Sequence, residues 1–267
     1  FRVSHDMFDG MRWRNSAEVA NNGIDDDGNG YIDDINGWDA SDHDSNLLPP
    51  ETRVTEFSHG TNMAGIVASH IRAHFGQRKE YPIKLMFVKA VSDSATQVNL
   101  KDGYKGIDYA LKNGADIISL SWGGGKLTDE AKQVLLRAKQ QGVTVIASLG
   151  TYSQADLSYP SAHSSTIGVA GIDDNGKLFS SNFGTEVDVL ARSSAVEAAD
   201  VVANDAYKST FGVSNAVAIV AAQAAIAKVE NPLLNDLNLR HCLQSTALSQ
   251  DHNNSNIAGK LGAGLVD

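Results

Sequence analysis

Between residues 83 and 149 the chain alternates short apolar, β-branched segments with amphipathic ones, and glycines stand at several of the junctions. Ile83–Val91 (IKLMFVKAV), Asp116–Ser121 (DIISLS) and Val143–Leu149 read as buried strands. Tyr104–Leu111 and Thr128–Gln140 read as helices, closed by Asn113-Gly114 and by Gly142. Parallel neighbours need a crossover connection, usually a helix, so repeated units of this kind predict a mainly parallel sheet with helices on both faces.

The flanking regions extend the same pattern. After Gly60, Met63, Ile66, Val67, His70 and Ile71 recur at helical spacing, and strands are expected near Ser165–Ala170 and Val187–Leu190. The segment Asn215–Val229 is apolar on nearly every side, which marks a helix buried at the centre of a fold. Leu237–Ala247 reads as a final surface helix. No repeat, low-complexity tract or linker interrupts the chain, so residues 1–267 are expected to form a single α/β domain.

Charge is unevenly distributed. From Asn15 to Thr52 there are eight aspartates, Glu18 and Glu51 and no Lys or Arg, whereas the other residues hold 22 acids and 22 bases. With no basic stripe, the chain is not expected to bind nucleic acid. Cys242 is the sole cysteine, which excludes an internal disulfide framework and a cysteine-only metal cluster. The longest apolar run, Ala216–Ala222, is far shorter than the roughly 20 residues of a spanning helix, so no membrane association is expected.

Three constellations carry chemistry. His59, in Phe57-Ser58-His59-Gly60-Thr61-Asn62-Met63-Ala64-Gly65, stands at a helix start followed by small residues that let the helix pack closely. Ser214 follows Phe211-Gly212-Val213, directly ahead of the apolar helix. A serine there serves as an N-cap in the plain structural reading. It also stands where the helix dipole and free N–H groups favour developing negative charge. The third is Asp25-Asp26-Asp27-Gly28-Asn29-Gly30-Tyr31-Ile32-Asp33-Asp34. Asp25, Asp27 and Asn29 alternate, a backbone carbonyl is available at Tyr31, and Asp33 follows, the order of a calcium loop. The twelfth position is Asn36 instead of a bidentate Glu, and Asp34 is the substitute expected there. A solvated Asp/Gly turn is the plain alternative.

The order of these motifs resembles the subtilisin-like serine proteases, the subtilases. His59-Gly60-Thr61-x-x-Ala64-Gly65 is similar to that family's catalytic-histidine motif, and Gly212-Val213-Ser214-x-Ala216-x-Ala218 to its nucleophile motif. Gly106-Ile107-Asp108-Tyr109-Ala110, Ser121-x-Gly123-Gly124, Tyr159-Pro160-Ser161 and Ser180-Ser181-Asn182-Phe183-Gly184 match in order, so the resemblance covers nearly the whole chain. It implies a subtilisin-like three-layer fold and a serine endopeptidase in which Ser214 attacks a peptide carbonyl and His59 shuttles the proton. It implies that Ser121, Trp122, Gly123 and Gly124 line an extended polypeptide substrate, with Ala147, Ser148, Leu149 and Gly150 as a second wall; strand packing explains the latter residues equally well. It further implies a secreted or cell-envelope location, a monomer, and a pro-segment or inhibitor as a possible partner, while the dense like charges of the acidic loop lead to the expectation of structural Ca2+.

Two departures from the family pattern matter. The family's catalytic aspartate lies in a turn that would fall ahead of Phe1, and the oxyanion-hole Asn is replaced by Thr151. They motivate a rival expectation, a catalytically impaired subtilase that binds peptides or a partner without cutting. The acidic loop motivates a third, a calcium-dependent adhesion module.

Overall fold

The computed structural model describes residues 1–97, 100–155 and 158–266. Its chain divides into two compact units: Phe1–Ala115 with Ala198–Lys208, and Asp116–Glu197 with Ser209–Asp267.

In the first unit, β1 (Gly37–Asp39) pairs in parallel with β2 (Phe87–Lys89). The expected strand over 83–91 shrinks to these three residues because Leu85 forms only an isolated bridge with Arg12. Helix α1 (Ser58–Phe75) starts two residues before the Gly60 that the pattern suggested. It buries Met63, Ile66 and Ile71 and leaves its basic Arg72 and His74 in the last turn, where cations suit the helix dipole. Gly65 is required there. A Cβ on it would stand 2.5 Å from Ala199 N and 2.6 Å from Ala199 Cβ, so only glycine allows this approach. Phe8, Met11, Ile71, Tyr81 and Phe87 form one apolar cluster, and Trp38 packs with Tyr109 of α2 (Gly103–Lys112) in another.

The second unit is a four-stranded parallel sheet in the order β3 (Ile117–Leu120), β4 (Thr144–Ser148), β5 (Thr166–Ile172), β6 (Val189–Arg192). Every residue of β4 and β5 is buried, the pattern of parallel strands covered on both faces. α3 (Asp129–Gln140) follows β3. Its Thr128 cap accepts a hydrogen bond from Ala131 N, acids fill its first turn and Arg137 and Lys139 its last.

A further pair of strands, β7 (Val196–Ala199) and β8 (Tyr207–Thr210), runs where the chain passes between the units. It was not expected from the sequence. Helix α4 (Val213–Glu230) then packs against β3, β4, β5 and β6, and α5 (Asp236–Thr246) packs against α4. Neighbours on more than one side explain why α4 is apolar all round. By length and composition it could cross a membrane, yet more than half of it is buried among these elements, as in the core helix of a globular protein.

Candidate active site

Ser214 lies in the second unit, one residue inside the amino end of α4. The N-cap position belongs to Gly212, with a left-handed φ of 119°, and no side chain caps the helix, so the N-cap reading of Ser214 does not hold. Gly212 allows the chain to turn sharply from β8 into the helix. Asn215, fully buried, pins the turn: its Oδ1 accepts from Thr210 Oγ1 at 3.0 Å, and its Nδ2 donates to the Thr210 carbonyl at 2.9 Å.

The same unit gathers the residues expected to line a substrate. Ser121 Oγ, just past β3, donates to the Ser214 carbonyl at 3.2 Å. Trp122 is half-buried beside it. Gly123 lies against the end of β4: a Cβ there would meet Ser158 Oγ at 2.6 Å and the Ser148 carbonyl at 3.2 Å. Gly124 N donates to the Tyr159 carbonyl at 2.9 Å. Ala147, Ser148 and Leu149 are buried, so strand packing accounts for their side chains, while Gly150 turns the chain with φ 101° and leaves Thr151 exposed. The second unit thus brings together 121–124, 147–151 and the start of α4.

His59 belongs to the first unit, as the second residue of α1. Gly60 after it lies against the Phe1 ring, which a Cβ would approach to 2.5 Å. The residue is exposed, and desolvation lowers its pKa from the ordinary histidine value. The neutral form, the one able to accept a proton, is therefore favoured.

The acidic loop also lies in the first unit. Asp25 and Asp27 converge with Glu18, a residue outside the loop pattern, each offering a carboxylate oxygen within 4.8 Å of the others. Glu18 is 4% exposed, and its oxygens accept backbone N–H groups of Asp26, Asp27 and Asp33. Hydrogen bonding from Asn15 holds Asp27 below the usual carboxylate pKa, in the form that binds a cation. Three converging oxygen ligands fit a hard cation such as Ca2+.

Like Asp25 and Asp27, which accept from the backbone N–H groups of Asn29 and Gly30, the remaining loop residues are hydrogen-bonded. Asn29 Oδ1 accepts from Tyr31 N, and the Tyr31 ring packs edge-on against Trp38 and Tyr109. Asp33 accepts from Asn22 N and Gly23 N. Asp34, fully buried, accepts from Tyr109 Oη at 2.8 Å and Asn15 Nδ2 at 2.8 Å; burial raises its pKa despite these bonds. A second carboxylate trio, Asp39, Asp42 and Asp93, already surrounds a cation: Lys89 Nζ lies 2.6 Å from Asp39 and 2.5 Å from Asp93.

The second unit thus sets a serine at a helix start beside residues 121–124, and comparison with known proteins gives the family. The subtilase family profile matches residues 9–264, and the chain belongs to that family. It is 29% identical over 224 residues to subtilisin amylosacchariticus of Bacillus subtilis subsp. amylosacchariticus, covering 79% of this chain and 58% of that protein. It is 29% identical to the subtilisin of Bacillus pumilus, covering 79% and 80%. The chain thus spans 58% of the length of the first of these relatives. Among solved structures, PagA, a prenylagaramide maturation protease, superposes with a TM-score of 0.66 at 22% identity, over 78% of this chain and 79% of its own. A cold-adapted subtilisin-like serine proteinase gives 0.64 at 22%, over 94% and 84%. These neighbours share the three-layer α/β fold.

Proposed function

We propose that this chain is the peptidase domain of a serine endopeptidase acting on extended polypeptides. In this reading Ser214 Oγ attacks the scissile carbonyl, His59 accepts the hydroxyl proton and returns it to the leaving amine, and Thr151 Oγ1 donates to the developing oxyanion. The helix dipole at the start of α4 favours the same negative charge. Residues 121–124 pair with the substrate backbone, and Ala147–Gly150 border its side-chain pocket. Glu18, Asp25 and Asp27 hold a Ca2+ ion that neutralises their mutual repulsion and stiffens the loop. The observation that carries the reading is the position of Ser214, set at the head of a buried helix and tied through its carbonyl to the proposed substrate strand.

The test is cleavage of an unfolded polypeptide by the full chain, with Ser214→Ala as control. Cleavage abolished by the substitution supports the proposal. Peptide binding without cleavage would favour a binding module, for which the threonine at position 151 is the supporting observation.

A further inference from the structure

Asn182, within the Ser180–Gly184 motif, makes contacts that the proposed mechanism does not use. It is 2% exposed and sits between β5 and β6 in the chain. Its Oδ1 accepts from Tyr152 N at 2.8 Å and from Gln154 N at 3.4 Å, and its Nδ2 donates to the Leu149 carbonyl at 3.0 Å. Its main-chain N donates to the Gly150 carbonyl at 2.8 Å. One residue therefore grips the backbone on both sides of Thr151. The amide's orientation follows from its partners, since two N–H groups require an acceptor and a carbonyl requires a donor. The fit is also steric: a Cβ at Gly150 would stand 3.0 Å from Asn182 Nδ2, so the glycine lets the turn close down on the amide.

We infer that Asn182 is a positioning residue, a clamp that fixes the turn 149–154 and with it the placement of Thr151. Thr151 is exposed on a turn that has just left the sheet, and connecting segments as a class are more mobile than the elements they join. A hydrogen-bond donor helps a transition state only when it is already aimed at the developing charge, and a displacement of about 1 Å can cost about 100-fold in rate. Asn182 supplies that rigidity without touching substrate. The catalytic part of this inference rests on Thr151 acting as the oxyanion donor; the clamp itself does not.

The experiment has two arms. Amide hydrogen exchange of the full chain reads the clamp without any turnover. Asn182→Ala is expected to speed exchange at Tyr152 and Gln154 about tenfold, the equivalent of one lost buried hydrogen bond, while the amides of β4 and β5 keep their protection. Unchanged exchange at Tyr152 and Gln154 overturns the clamp, and it does so even if the wild type cleaves nothing. Peptide hydrolysis then reads its purpose. Asn182→Ala is expected to lower kcat about 10- to 100-fold with KM within about twofold, and to have little further effect once Thr151→Ala is present. Losses that multiply in the double variant would mean that Asn182 does not act through Thr151. Should the alanine variant fail to fold, Asn182→Asp keeps the volume and the Oδ1 acceptor but turns an oxygen toward the Leu149 carbonyl. It is expected to show the same kcat loss and the same dependence on Thr151.

Discussion

Ser121 Oγ donates a hydrogen bond to the main-chain carbonyl of Ser214 at 3.2 Å, joining the end of β3 to the first turn of α4. The first turn of a helix is free at its N–H groups, whereas its carbonyls already accept within the helix. A second donor on that carbonyl therefore serves to orient the turn more than to satisfy it. The bond holds the proposed nucleophile against the proposed substrate strand.

Ser121→Ala removes this tie and leaves no buried charge behind. A bond of this kind is worth about 1 kcal/mol, so kcat/KM is expected to fall about fivefold, with a similar loss of stability. Peptide hydrolysis and urea unfolding of the same preparation check both numbers.

Chelation tests the acidic loop. If Glu18, Asp25 and Asp27 hold Ca2+, saturating calcium at about 100 times its dissociation constant stabilises the folded chain by about 2.7 kcal/mol. For a chain of this size that lowers Tm on chelation by roughly 5–10 °C. Glu18→Gln is expected to abolish the calcium dependence of Tm, whereas Asp33→Asn, whose carboxylate faces Asn22 N and Gly23 N, is expected to preserve it. Differential scanning calorimetry with and without calcium reads the outcome.

The ion pair between Arg240 of α5 and Asp188 just before β6 gives a prediction with a defined pH sign. Arg240 Nη1 lies 3.1 Å from Asp188 Oδ1, and Asp188 also accepts from Gly168 N and Gln244 Nε2. Burial raises the Asp188 pKa even with the arginine opposing it. Arg240→Ala removes that opposition and raises it further, at a cost of about 2–3 kcal/mol at pH 7 for a partly buried pair. A carboxyl whose folded pKa lies above its unfolded value adds stability below the unfolded pKa and loses it as pH rises through the folded one. The variant's deficit is therefore expected to shrink as pH falls from 7 toward 4, which urea unfolding at several pH values measures.

Much of this architecture was legible in the sequence, and the exceptions have physical causes. The amphipathic segment of α3 with Gly142 after it, and the all-round apolar face of α4, placed those helices nearly to the residue. β7 and β8 were missed because Val196–Ala199 and Tyr207–Thr210 carry no apolar alternation; Glu197 and Lys208 are exposed within them. His59 and Ser214 stand out in the sequence because each lies in a local motif. Glu18 does not stand out, since it comes seven residues before Asp25, and Asn182 lies in a matched motif whose contacts the sequence does not reveal, since it reaches back to a turn some 30 residues earlier. Contacts made by chain return leave no periodic signal. The spacing of the acidic loop also could not show that Asp33 and Asp34 hydrogen-bond to backbone amides and to Tyr109 and Asn15, since those contacts depend on the folded chain.

The central claim is that Ser214 is an activated nucleophile. Treatment of the full chain, in calcium, with a fluorophosphonate followed by peptide mapping tests it most directly. The account predicts stoichiometric modification at Ser214, lost in Ser214→Ala and strongly slowed in His59→Ala. It also predicts a rate that falls in acid with a midpoint below 6.5, because desolvation keeps His59 neutral to lower pH than a free histidine. No modification of Ser214 under conditions that label an active serine protease to completion would contradict it.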